Sequence, residues 1–343
     1  MNPPITSQPP THNDYTVGWV CALPKEQTAA TAMLDYRHAD LPKPPNDHNT
    51  YTLGSVGKHN VVIACLPKGG VGTNPAATVA AWMILTFPSI KFGLMVGVGG
   101  GIPPKVRLGD VVVSIPIGQF PGVVQWDLGK AKLGGSFERT GSLNNPPTSL
   151  LTALAKLETE NDLNGSKIPE YLDELERKWP RLAPKYLKSD SLEDVLFKAD
   201  YGHVNESTGN GNSLDNDGDA EEESCRFCDR AMVVRRKPRD MLVHYGLVAS
   251  GNQVIKDAIL RDSLNKDLGG HVLCVEMEAA GLINNFPCIV IRGICDYADS
   301  HKNKEWQEHA AAVAAAFGKE LLEYVQPSDV DGERTVKDIL GPG

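Results

Sequence analysis

The sequence predicts an α/β layered fold, and three observations carry the prediction. Apolar, β-branched runs of strand length recur along the chain, helical stretches alternate with them, and glycine-rich turns mark several of the junctions. In order, a strand at 17–22 leads through Leu23-Pro24-Lys25 into a helix from about Glu26 to Leu34. A hairpin follows at 51–56 and 60–65, turning at Gly57-Lys58. Lys68-Gly69-Gly70-Val71-Gly72 opens a helix to about Leu85. Phe92 to Val98 reads as a buried strand ending in Gly99-Gly100-Gly101, and 110–115 as another. Residues from about 148 to 200 read as helices with proline breaks. Regular structure returns at 243–250, followed by a helix from about Gln253 to Asp262 and an Ala-rich amphipathic helix at 306–324. Residues 1–14 and 326–343 read as tails around one domain at 15–325. A polar, acidic stretch at about 205–239 reads as a surface insertion.

The 343 residues carry 43 acids against 34 bases, a net charge of -9. That balance argues against nucleic acid or an anionic membrane as the main partner. No run is apolar and long enough to span a bilayer, and the Pro- and Thr-rich start has no signal-like core. Seven cysteines is an odd count, and five of them lie in or beside apolar strands. They read as buried hydrophobes of a reducing compartment, so a cytoplasmic location is expected.

The densest signal lies near the C-terminal end. Val275-Glu276-Met277-Glu278-Ala279-Ala280-Gly281 puts two acids where a short strand, Leu273 to Val275, passes into a helix expected from Glu278 to Ile283. Asp296 then sits just past the apolar strand at 288–294, within Arg292-Gly293-Ile294-Cys295-Asp296. Ligands of open α/β sheets collect at this edge. A glutamate facing a ribose diol and an aspartate facing a purine would both fit there. The plainer alternative is helix-start acids stabilised by the helix dipole.

Other motifs are weaker. Val96-Gly97-Val98-Gly99-Gly100-Gly101-Ile102 lacks the third glycine of a dinucleotide fingerprint, and Lys68 precedes its glycine loop where a Walker A lysine follows. Both sites read equally as tight turns where backbone approaches a ligand or another strand. Cys225-Arg226-Phe227-Cys228 is half of a zinc motif, with His203 or His244 as partners, but a lone pair of cysteines is a weak signal. Ser250-Gly251-Asn252-Gln253 is a strand-end turn, either a substrate contact or a helix cap. No nucleophile elbow or His-Glu-x-x-His pattern occurs, and His244, His301 and His309 have no evident nucleophile beside them.

Taken in order, Gly18-Trp19-Val20-Cys21-Ala22-Leu23-Pro24-Lys25-Glu26, the 96–101 glycine run, Gly109-Asp110-Val111-Val112-Val113-Ser114, Val275-Glu276-Met277-Glu278-Ala279 and 292–296 resemble the purine nucleoside phosphorylase/nucleosidase superfamily. The bacterial 5′-methylthioadenosine/S-adenosylhomocysteine nucleosidases are the nearest look-alikes, and the wording at 295–304 looks like the fungal branch. There the domain occurs alone or in larger receptor-like proteins. The resemblance spans about 15–325, with 158–240 as extra material.

It implies a three-layer α/β/α fold around a mixed sheet, and cleavage of a nucleoside N-glycosidic bond through a ribosyl-cation-like transition state. By resemblance, Asp296 is the acid on the purine and Glu26 the base on water. Glu278, Met277 and the less certain Glu276 face the ribose, while Val98, Gly99, Asn252, Gln253 and Val254 line the base. Aligned on Gly97, Met95 and Val98 replace the arginine and serine that hold phosphate in phosphorylases, and Pro24-Lys25-Glu26 replaces an Arg-containing loop. A phosphate dianion without compensating donors is strongly disfavoured. A purine nucleosidase is therefore expected, with a phosphorylase using Lys25 or Lys68 and a sensing module with vestigial catalysis as rivals. The resemblance implies no cofactor and no metal, a small nucleoside as partner, and a homo-oligomer, a dimer first.

Overall fold

The computed structural model describes residues 10–135, 137–204 and 225–341. Its strands are β1 (Val17–Cys21), β2 (Tyr36–Arg37), β3 (Tyr51–Val56), β4 (His59–Cys65), β5 (Phe92–Gly101), β6 (Val111–Ser114), β7 (Val123–Gln125), β8 (Gly129–Ala131), β9 (Phe137–Arg139), β10 (Val243–Ser250), β11 (Val272–Glu276) and β12 (Cys288–Asp296). The helices are α1 (Pro24–Ala32), α2 (Thr73–Thr86), α3 (Thr148–Asn164), α4 (Ile168–Lys178), α5 (Ala183–Tyr186), α6 (Ala258–Asp267), α7 (Gln307–Tyr324), α8 (Pro327–Gly332) and α9 (Val336–Leu340).

One sheet runs β11-β10-β6-β12-β5-β1-β4-β3-β2, with β7 beside β10. It is mixed: β1, β4, β5 and β12 pair in parallel, whereas β6 meets β12 antiparallel. Strand alternation sends successive side chains to opposite faces, and here each face has its own core. Trp19, Leu94, Val96, Ile289 and Ile291 face the layer of α1, α3, α4 and α7. Val20, Met95, Cys288 and Val290 face α2 and the 279–286 turn. The fold is thus three-layered α/β/α, as the resemblance implies. Because both faces are covered, the central strands read as continuous apolar runs rather than alternating ones.

Two departures from the expected elements shape the site. The glycines at 99–101 are not a loop but the end of β5, and β11 curls over to pair antiparallel with them, Cys274 against Gly101 and Val275 against Gly100. That curl carries the 276–278 acids onto the ends of β5 and β12. Residues 278–283 form no helix either. Only a 3₁₀ turn forms at Ala279–Gly281, because the Glu276 carboxylate takes the Glu278 and Ala279 amides and holds the chain in a tight turn.

Further along, α6 starts at Ala258 and not near Gln253. Asp257 is the true N-cap, accepting from Ile259 N and Leu260 N. Nor are the ends of the domain plain tails within the described residues. His12–Asp14 form a 3₁₀ turn with the His12 ring against Phe87, and α8 and α9 bury Val330 and Val336, the latter bonding Ile90 O through its amide. The expected insertion is packed where it is described. Arg236 pairs with Asp194, and Arg239 pairs with Asp110. Residues 205–224, the acidic part of that expectation, lie outside the described residues.

Candidate active site

Glu26 is the third residue of α1, and its carboxylate turns back to cap its own helix. Oε2 accepts from Ala22 N at 2.7 Å and Leu23 N at 2.9 Å, while Oε1 accepts from Val98 N on β5 at 2.8 Å. Pro24, lacking an amide hydrogen, fits the first turn at no cost. The side chain is buried, and burial raises its pKa; the Arg292 guanidinium and the three amides oppose that rise.

Arg292 is the centre of the site. It lies in the middle of β12 with no solvent exposure, and its Nη2 pairs with Glu276 Oε2 and lies 3.5 Å from Glu278 Oε2. Nη1 reaches Val98 O at 3.4 Å. Only glycine fits at 97 beside it, since a Cβ there would lie 2.5 Å from both Arg292 Nη1 and Glu26 Oε1. Three buried carboxylates therefore surround one guanidinium.

Glu278 takes the Gly72 amide at 3.2 Å, which ties the β11 end to the start of α2. Burial is also the main cause of its raised pKa, opposed by Arg292 and reinforced by Glu276 and Glu26. Glu276 is held differently. Besides Arg292, its oxygens accept from the Glu278 and Ala279 amides, so the protein itself holds it in place.

Asp296 ends β12 with its side chain 2% exposed, Oδ1 accepting from Ala298 N at 2.8 Å and Oδ2 lying 2.8 Å from Lys302 Nζ. A Cβ at Gly100 would lie 2.9 Å from Asp296 Oδ1, so the β5 glycines bring strands close, the plainer of their two readings.

The remaining expected residues sit less centrally. Met277 is half-buried between the two glutamates. Val98 contributes its backbone, both polar groups of which are engaged, and Gly99 packs on the Cys274 sulfur. Asn252 is a clamp: Oδ1 accepts from Thr73 N and Oγ1, and its own amide bonds Asp127. Gln253 and Val254 are exposed at this rim, Val254 by 52%. The sequence reading overlooked Arg292 and Lys302 as site residues. A lone arginine inside an otherwise apolar strand was the available signal for the first.

The other expected cations are elsewhere. Lys25 pairs with Glu308 at 2.9 Å, and Lys68 is exposed. His244, a suggested zinc partner, instead contacts Asp110 at 2.8 Å.

Residues 16–156 match the phosphorylase superfamily. The chain is 48% identical over 330 residues to a nucleotide-binding leucine-rich repeat (NLR)-like protein of Hyaloscypha variabilis, covering 94% of this chain but only 30% of that protein's length. It is 24% identical to the 5′-methylthioadenosine/S-adenosylhomocysteine nucleosidase of Mycobacterium bovis, over 90% of this chain and 95% of the relative. Among solved structures, futalosine hydrolase of Helicobacter pylori superposes with a TM-score of 0.56 at 17% identity, covering 91% of this chain and 99% of that one. The Neisseria meningitidis 5′-methylthioadenosine/S-adenosylhomocysteine nucleosidase, in complex with methylthio-immucillin-A, gives 0.55 at 17%, covering 90% and 98%. These superpositions establish the nucleoside phosphorylase/nucleosidase fold. Among the described residues, no helix is long and apolar enough to cross a membrane.

Proposed function

We propose that the chain is an N-glycosidase that hydrolyses an adenine-type or other purine nucleoside to free base and ribose. The observation that carries this reading is the charge balance around Arg292. Glu26, Glu276 and Glu278 are buried with a single guanidinium and outnumber it. Such a cluster is complementary to a sugar that becomes cationic as its glycosidic bond breaks, and interactions stronger in the transition state than in the ground state raise kcat.

In the proposed reaction Asp296 delivers a proton to the purine, at N7, and the C1′–N9 electron pair leaves with the base. Lys302 lies 2.8 Å from Asp296, and the proton that Glu26 takes from water balances, through solvent, the one Asp296 gives to the base. Glu278 grips the ribose hydroxyls while charge develops. Glu26 takes a proton from water as its oxygen bonds C1′. Burial, by raising the pKa of Glu26, makes it a stronger base than an ordinary carboxylate. The nucleosidase names among the relatives support the same reading.

The same charge balance disfavours phosphate as the nucleophile. Met95 is sunk in the core under α2, Val98 is apolar, and Arg292 already faces three carboxylates. The deciding test is a product analysis of nucleoside cleavage with and without millimolar phosphate. Free ribose at a phosphate-independent rate is expected. Saturable rescue by phosphate, with ribose 1-phosphate as product, sinks the hydrolase assignment.

A further inference from the structure

Away from the carboxylates, a second cluster of reactive side chains has no part in the proposed reaction. The Cys225–Cys228 turn, closed by Cys228 N on Cys225 O, lies against the segment at 201–204 and against His301. His203 Nδ1 is 3.3 Å from Cys228 Sγ and 3.7 Å from Cys225 Sγ. Ligand atoms of His203, Cys228 and His301 all lie within 4.8 Å of one another. Tetrahedral zinc with Zn–S near 2.3 Å and Zn–N near 2.0–2.1 Å requires ligand-to-ligand edges of about 3.3–3.8 Å. Both sulfur–imidazole distances already fall in that range.

Two further observations point to a ligand. His301 Nε2 is one of the few buried side-chain polar atoms among the described residues with no hydrogen-bond partner, an arrangement that costs free energy unless something fills it. The His301 ring is also fixed in place. It stacks on Phe197 at 4.0 Å between ring centres, and its Nδ1 faces Asp299 Oδ1 at 3.9 Å. A carboxylate on the far nitrogen is the support that metal-bound histidines commonly have. Val204 N points at Cys228 Sγ at 3.5 Å, the direction from which an amide stabilises a thiolate. A nucleophilic Cys–His pair is the competing interpretation, but Cys228 is only 6% exposed.

We infer that His203, Cys225, Cys228 and His301 form a tetrahedral zinc site. Two thiolates and two neutral imidazoles balance the charge of Zn²⁺, and four protein ligands leave no open position, so the role is structural and not Lewis-acidic. Zinc here ties the 201–204 segment and the Cys225–Cys228 turn to the chain just past β12. Lys302, the residue next to His301, is the one that meets Asp296. The inference is independent of which reaction the site performs.

The test uses the full chain, purified without a metal-binding tag. About one zinc per chain is expected by elemental analysis, as for a closed four-ligand site. Exchange to Co²⁺ should give the intense visible bands and sulfur charge-transfer absorption of a tetrahedral two-thiolate site. Cys228→Ser and His301→Ala should each lose the zinc. If either fails to fold, the cobalt spectrum of the unaltered chain decides the question alone. A metal-free protein that yields only a weak octahedral cobalt spectrum when reduced overturns the inference. So does a Cys225–Cys228 disulfide found by mass spectrometry in freshly purified protein. Chelation of the zinc-loaded chain should lower Tm by roughly 5 °C or more, since structural zinc contributes directly to folding; an unchanged Tm speaks equally against it.

Discussion

The carboxylates around Arg292 and the sulfur and imidazole groups around His301 lie on neighbouring stretches of chain but are built in opposite ways. Glu26, Glu276 and Glu278 are each fixed by backbone amides at strand ends or a helix start, and Arg292 rises from the middle of a fully buried strand. His203, Cys225 and Cys228 come from irregular segments with little regular structure to hold them. Groups that must match a transition state gain from a rigid sheet, because a misplacement of about 1 Å can cost ~10²-fold in rate. Groups that hold a metal are positioned by the metal itself.

Three perturbations sharpen or break this contrast. The largest effect is expected from Glu26→Gln. The amide keeps the size and one acceptor oxygen for the backbone N–H groups, but it cannot take a proton from water. A loss of about 10²–10⁴-fold in kcat is expected, with nucleoside affinity by calorimetry nearly unchanged. Activity within tenfold of the unaltered chain would remove Glu26 from its role.

Arg292→Met comes next. It leaves three buried carboxylates without their counter-charge, and removing one partner of a buried pair costs about 3–5 kcal/mol. Chemical denaturation should show that loss, whereas the same measurement on a Cys228→Ser chain should show a loss that added zinc does not restore. An Arg292→Met chain as stable as its parent would mean the cluster is already largely neutral.

The pH profile gives the gentlest test. Burial raises the pKa of both Glu26 and Glu278, and both act as carboxylates in the proposed reaction. The rate should therefore fall on the acid side by about tenfold per pH unit, starting above the ordinary glutamate pKa near 4.3. The sign for stability is opposite. A carboxyl whose pKa is raised by folding binds protons more readily in the folded chain, so protonating it favours the fold. Activity should thus fade in mild acid before Tm does, and parallel loss of both would argue that unfolding alone sets the limit.

Much of this was legible in the sequence because it rests on local rules. The strand read at 288–294, which in the structure runs on to Asp296, and the hairpin at 51–65 follow from β-branched runs bounded by turns, and β10 lies where 243–250 was read. Glu26, Glu278 and Asp296 were read from motif order as candidate base, sugar contact and acid, the roles the proposed function gives them. What escaped depended on tertiary contact. Nothing in Val275-Glu276-Met277-Glu278 says that the first acid turns inward to Arg292 while the second takes the Gly72 amide. Nor does spacing show that β11 would curl onto the glycines of β5, or that His301 and not His244 would meet the cysteine pair.

Gly97 limits how this protein can diversify. Any side chain there must push aside Arg292 and Glu26 together, so the strand behind this cluster is closed to substitution. The exposed rim at Gln253 and Val254 carries no such constraint. Under the proposed function, bond cleavage and the choice of which molecule is cleaved would be written in separate parts of the chain, the one closed to substitution and the other open to it.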